Sequence, residues 1–240
     1  MEAIKTTDLT KSYPNLVAVD RLNLQIEQGE LFSLLGVNGA GKTTVMKMLS
    51  CLTKPTRGDA YLGGNSILRN AQTIKSMIGV APQETAVAPN LTVMENLELM
   101  CGIYGFSKEK TIDRVQTIVR QCKLQEVLTK KAGKLSGGWQ RRVSIAMALI
   151  SEPRILFLDE PTLGLDVIAR SELWELIGAM KGNITIILTT HYMEEAEALS
   201  DRIGIMKDGK LLVVGTARQL MDRTQTDRFE AAFLSIVKEG

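Results

Sequence analysis

The 240-residue chain is 45% apolar, and 29 Lys plus Arg face 27 Asp plus Glu. That is enough chain for one large or two small domains with a full core, and the near-balanced charge argues against a surface built to wrap nucleic acid. Cys51, Cys101 and Cys122 are scattered without C-x-x-C spacing, which fits reduced structural thiols. No apolar run approaches the ~18 residues of a membrane span, and the start MEAIKTTDLTKSY has no apolar core of a signal peptide.

In chain order, residues 1–35 read as strand-rich. VAVDRLNLQIE (17–27) alternates apolar and polar residues, the mark of a half-exposed strand, and LFSLL (31–35) is a continuous apolar run that fits a buried parallel strand. Next come Gly36, Val37, Asn38, Gly39, Ala40, Gly41, Lys42, Thr43 and Thr44, leading into a helical KTTVMKML. Glycine buries nothing and costs entropy, so this conformation must demand it. Gly36-x-x-x-x-Gly41-Lys42-Thr43 has the spacing of a phosphate-binding P-loop, in which backbone N–H groups cradle phosphates, a lysine adds a point charge and a hydroxyl serves Mg²⁺. That pattern points to a nucleoside triphosphate and no further.

From about 82 to 153 the patterns are helical. Thr92 and Glu95 form a capping box ahead of VMENLELM, and stripes follow at Ile112, Val115, Val119 and Cys122, then at Val143, Ala146, Met147 and Ile150. Beyond them ILFLD (155–159) and ITIILTT (184–190) read as buried strands, separated by a helix with Leu173, Leu176, Ile177 and Met180 on one face. The last stretch, 226–239, reads as a short helix that packs Phe229, Phe233 and Ile236 on the core. The alternation of buried strands with helices argues a doubly wound α/β core.

Two further constellations carry chemistry. Asp159 ends an apolar strand, where a carboxylate can hold Mg²⁺, and Glu160 follows at once, where a carboxylate can polarise an attacking water. The plain alternative is a strand end with two solvated acids. In KLSGGWQRRVSIAMALI, Ser136 is a natural N-cap, and Gly137 and Gly138 leave the first N–H groups of a helix bare, a second anion site. One nucleotide does not obviously need two such sites in one chain.

Gly36–Thr44, Gln83, LSGGWQ, ILFLDE, LGLD and His191, in this order, resemble the ATPase subunits of ATP-binding cassette (ABC) transporters, over nearly the whole chain to about Arg218. The resemblance implies a P-loop NTPase (RecA-like) α/β core with an N-terminal antiparallel β subdomain and an inserted α-helical subdomain. Its expected limits are about 1–81 plus 154–240 for the core and 82–153 for the helical signature part. It implies head-to-tail pairing, as a homodimer or with a paralogous ATPase, that sandwiches each ATP between one chain's P-loop and the other's signature helix. Ser136, Gly137 and Gly138 would then serve the partner's γ-phosphate, and Asp166 of LGLD would cross the dimer interface. Gln83 resembles the residue that senses Mg²⁺ and contacts the membrane partner, so the expected metal residues are Thr43, Gln83 and Asp159. His191, the single histidine, resembles the switch histidine that donates to the γ-phosphate. Tyr13 resembles the aromatic that stacks on adenine. The fifth signature position, often glutamine, is Trp139 here, which puts packing near the partner in doubt.

Within that superfamily, chromosome and repair relatives carry long coiled-coil or zinc insertions, and translation-factor relatives carry two cassettes. This chain has neither, so a non-transport ATPase acting on nucleic acid or ribosomes stands second. The first expectation is a magnesium-dependent ATPase, peripheral on the cytoplasmic face of the membrane, working with a separate transmembrane permease and no nucleic acid. PQETAVAPNLTVMENLELMCGIYG and TTHYMEEAEALSDRIGIMKDGKLLVVGT resemble the bacterial subgroup that exports drugs, antibiotics, sodium ions or polysaccharides. Val87, Met94, Met100, Tyr104 and Phe106 are expected to contribute an apolar groove for a short helix of the permease.

Overall fold

The computed structural model describes residues 1–239; Gly240, at the end of the expected core segment, lies outside them. The elements begin with β1 (Glu2–Tyr13), β2 (Leu16–Leu22), β3 (Gln25–Glu27), β4 (Leu31–Leu35), α1 (Lys42–Leu49), β5 (Arg57–Leu62), β6 (Asn65–Ser66) and α2 (Ala71–Met77). They continue with β7 (Ile78–Ala81), α3 (Val93–Ile103), α4 (Lys108–Gln121), α5 (Gly137–Leu149), β8 (Ile155–Asp159) and α6 (Val167–Gly178). The chain closes with β9 (Thr185–Thr190), α7 (Met193–Leu199), β10 (Arg202–Lys207), β11 (Lys210–Gly215), α8 (Ala217–Thr224) and α9 (Phe229–Glu239). Two compact units result, one of residues 1–76 with 181–240 and one of residues 77–180.

The first unit holds an antiparallel sheet in which β1 pairs with β2, β3 and β5, and β6 pairs with β5. The apolar–polar alternation of 17–27 therefore makes two strands. Asn23 breaks it: its amide donates to the Asp8 carboxylate at 2.9 Å and its Oδ1 accepts from the Asp8 N–H at 2.9 Å. The unit's second sheet joins β9, β4 and β10 in parallel and adds β11 antiparallel on β10. LFSLL and TIILTT are buried at every residue, as continuous apolar runs in a sheet covered on both faces require. Phe229, Phe233 and Ile236 of α9 pack with Leu35, Ala196, Ile203 and Ile205 in one cluster. That helix starts at Phe229 rather than at Thr226.

In the second unit β7 and β8 pair in parallel, and the residues between them form α3, α4 and α5. The capping box of α3 is complete: Thr92 Oγ1 accepts from the Glu95 N–H at 3.2 Å, and Glu95 Oε2 accepts from the Thr92 N–H at 2.7 Å. The α5 run from Arg141 to Leu149 is wholly buried, and Leu173, Leu176 and Ile177 of α6 are buried too. The α4 stripe holds at Val115, Val119 and Cys122, but Ile112 is 52% exposed. Burial of Cys122 pushes its thiol up to about 12, an inert structural thiol. No helix among the described residues is long and apolar enough to cross a membrane.

Candidate functional site

β4 delivers the chain, fully buried, into the loop 36–41. The Gly36 N–H donates to the Thr190 carbonyl at 3.3 Å, tying the loop to β9, and the Ala40 N–H donates to the Val37 carbonyl at 3.1 Å, closing the tip. Two glycines are sterically required. A Cβ on Gly36 would stand 2.5 Å from the Met206 carbonyl oxygen. Gly41 has φ +100°, and a Cβ there would stand 2.4 Å from the Ala18 carbonyl oxygen. Gly41 is also the N-cap of α1, which has no side-chain cap and no acidic residue in its first turn. Glycine at the cap has no side chain to offer, and no carboxylate of the first turn competes for the positive end of the helix.

Lys42 is 5% exposed, and its Nζ donates to the carbonyls of Gly36 (2.7 Å) and Val37 (3.2 Å). The ammonium thus lies across the loop, with Val37, Asn38 and Gly39 exposed at the tip and Thr43 and Thr44 half-buried beside it. Register sets Leu35 of β4 opposite Thr190 of β9, so His191 leaves the sheet at the end where the loop begins. Its ring packs on Tyr192 with centroids 4.1 Å apart. Tyr13 pairs with Leu16 at the turn of the β1–β2 hairpin, 46% exposed, with the Lys11 ammonium 5.2 Å from its ring. The same hairpin supplies the Ala18 carbonyl that crowds Gly41.

The second unit gathers the other motifs. Asp159 and Glu160, 7% and 8% exposed, end β8. Glu160 has φ +47°, a left-handed conformation that costs energy for a residue other than glycine. Ser136 is the N-cap of α5 without a side-chain cap bond, and the first turn of that helix has no acid. Gly138 lies against α6: a Cβ on it would stand 2.8 Å from the Ala169 Cβ. A Cβ on exposed Gly137 would meet only Leu165 Cδ2, at 3.6 Å. Asp166 is exposed and caps α6, its Oδ1 accepting from the Ala169 N–H at 2.9 Å. Gln83 is exposed, and its backbone carbonyl accepts from Arg141 at 2.6 Å.

Two neighbours of these motifs escape a reading of the sequence. Arg141 is buried and donates to the carbonyls of Pro82 (2.7 Å) and Gln83. Burial lowers its pKa, and the charge of Asp159 opposes that shift. Arg142 pairs with Glu172 of α6 at 2.8 Å, and its guanidinium lies 4.6 Å from the centre of the Trp139 ring. Trp139 thus packs into a link between the signature helix and α6. The available signal was local: two adjacent arginines precede the largely apolar run VSIAMALI in the signature helix, so each must find acceptors within the fold.

Residues 19–163 match the ABC transporter family. The chain belongs to that family. This ABC chain is 38% identical over 91% of its length to the Nod factor export ATP-binding protein I of Cupriavidus metallidurans, of which it covers 73%. It is 43% identical over 87% of its length to the bacitracin transport ATP-binding protein BcrA of Bacillus licheniformis, of which it covers 68%. Against the ABC transporter A family member 2 of Arabidopsis thaliana it is 40% identical over 93% of its length, yet spans 24% of that longer relative. In fold it is similar to the ATP-binding subunit of an ABC transporter, with TM-score 0.85, 26% identity and 98% and 99% of the two chains covered. It is also similar to a dimeric post-hydrolysis state of an ATP-binding cassette bound to ADP and Pi, with TM-score 0.79, 30% identity and 89% and 98% coverage. The ABC fold here is a P-loop NTPase α/β core with an N-terminal antiparallel β subdomain and an inserted α-helical subdomain.

Proposed function

We propose that the chain binds and hydrolyses ATP and thereby powers export by a separate transmembrane subunit. The observation that carries the reading is the loop 36–41, shaped by Gly36 and Gly41 where a Cβ does not fit, opening on a helix end whose cap is a glycine and whose first turn has no acid. In this reading the loop amides and Lys42 hold the outer phosphates of ATP, and Tyr13 stacks on the base. Glu160 takes the proton of the attacking water, and His191 donates to charge developing on the transferred phosphoryl group. Thr43, Gln83 and Asp159 offer only oxygen donors, the set a hard Mg²⁺ prefers. Asp159 is the one carboxylate of that set and would hold the ion together with substrate phosphates. When bound, Mg²⁺ neutralises charge on the phosphates.

Ser136, Gly137 and Gly138 would cover the γ-phosphate on a second cassette, a copy of this chain or a paralogue, with Asp166 at the interface. Residues 82–153 would form the signature lobe that docks on the permease at the cytoplasmic membrane face. Val87, Met94, Met100, Tyr104 and Phe106 all escape full burial, and Leu99, Ile103 and Tyr104 of α3 and its end are 45%, 67% and 38% exposed. That apolar face suits a short helix from the permease. The Nod factor export relative named above favours export over import.

Glu160→Gln tests the reading. The substitution keeps the shape and removes the basic oxygen, so ATP hydrolysis should fall by roughly 10²- to 10⁴-fold while ATP still binds. Hydrolysis at the parent rate would remove Glu160 from the role of base.

A further inference from the structure

The first turns of α5 are fastened on two sides by adjacent arginines that point to different places. Arg142 reaches α6 through Glu172, while Arg141 reaches the carbonyls of Pro82 and Gln83. The second tie joins two motifs 58 residues apart in the chain, the loop that carries Gln83 and the helix that begins at Ser136. It uses backbone acceptors on the loop side, so it fixes the path of the loop and leaves the Gln83 side chain exposed. The guanidinium is planar and rigid, and its two terminal nitrogens each take one of two successive carbonyls. Lysine can offer two bonds only from one nitrogen on a flexible stem, so it lacks the planar, two-nitrogen geometry of that fork. Asp159 acts on the same guanidinium electrostatically, so the strand end, the Gln83 loop and the signature helix share one buried cation.

We propose that Arg141 is a positioning residue that locks the Gln83 loop to the signature helix, so that the two move as one body when the nucleotide site closes or opens. The inference rests on the ATPase reading above and adds to it a link inside one lobe. The hydrogen bonds of Arg141 go to backbone carbonyls of the Gln83 loop, and none of the residues assigned above to the phosphates is among these acceptors, so its loss is expected to spare ATP binding. It leaves Gln83 on a loop without its anchor, so closure places the reacting groups less often and turnover slows.

The test compares the full chain with Arg141→Met, which keeps length and apolar contact, and Arg141→Lys, which keeps the charge without the fork. Hydrogen exchange of residues 82–88, calorimetric ATP affinity and steady-state hydrolysis are read on each. For Arg141→Met we expect faster exchange at 82–88, unchanged exchange across 36–49, ATP affinity and KM within about twofold, and kcat reduced at least about tenfold. Arg141→Lys should fall between that variant and the parent. The idea is overturned if kcat and exchange at 82–88 match the parent, or if kcat and ATP affinity fall together with lysine as impaired as methionine, the mark of a general folding lesion. Should Arg141→Met fail to fold, parent-like kcat and exchange in Arg141→Lys overturn it alone. A parent chain that hydrolyses no ATP would refute the ATPase reading, while the exchange comparison would still decide whether Arg141 anchors the loop.

Discussion

The molecule has two glycine-rich helix starts, and they are built differently. At the start of α1 the glycines are demanded from within: Gly36 has no room for a Cβ beside Met206, and Gly41 adopts φ +100° against Ala18. At the start of α5 the demand divides. Gly138 is required by the close approach of Ala169, whereas Gly137 has no left-handed φ and room for a Cβ, which would meet only Leu165 Cδ2 at an ordinary contact distance of 3.6 Å. The α1 end also has its own buried lysine in place, and α5 has no equivalent, since Arg141 and Arg142 are turned toward Gln83 and Glu172. A loop with the form of a complete phosphate cradle, on the proposed reading, contrasts with a helix end that supplies clearance and an N-terminus without a side-chain cap. Such a division suits a site whose second half comes from another chain, and Gly137 then answers to a partner that the fold of one chain does not contain.

Breaking the first half should show as lost affinity. Lys42→Ala removes a charged phosphate contact, typically about 1.5–3 kcal/mol or roughly 10- to 150-fold in binding. Titration calorimetry that finds equal ATP affinity for variant and parent would end the cradle reading.

The glycines sharpen the contrast further, with a smaller effect. Gly41→Ala forces a side chain into a left-handed, occupied position and should cost about 1–3 kcal/mol of stability. Gly137→Ala should melt within about 0.5 kcal/mol of the parent and still lose hydrolysis, because the added methyl group would stand where the partner's phosphate comes. Thermal unfolding and ATPase assays on both variants separate the two cases; similar stability losses at the two positions would erase the distinction.

Much of this architecture was legible because it is local. LFSLL and ILFLD are buried at all five positions, since a continuous apolar run has no polar face to expose. Thr92 and Glu95 form their box because the partners are three residues apart. What could not be read depends on distant contacts. Asp8 and Asn23 interrupt the 17–27 alternation across 15 residues, and Ile112 has helical spacing but is 52% exposed near the start of α4. Among the site residues, the P-loop spacing stood out by itself. Arg141 did not, because its acceptors are backbone carbonyls, which leave no trace in side-chain identity. The capping of α6 by Asp166 follows the same local logic as Thr92 and is visible only once the helix start is placed.

The central claim is that one working site takes its cradle from one chain and its glycine-lined cover from another. A Ser136→Arg chain keeps the cradle and spoils the cover, while a Lys42→Ala chain keeps the cover and spoils the cradle. Each should be inactive alone. Mixed under conditions of demonstrated subunit exchange, they should recover ATP hydrolysis well above either variant, because the mixed pair contains one complete site. Mixed dimers that form and remain as inactive as the separate variants would contradict the account.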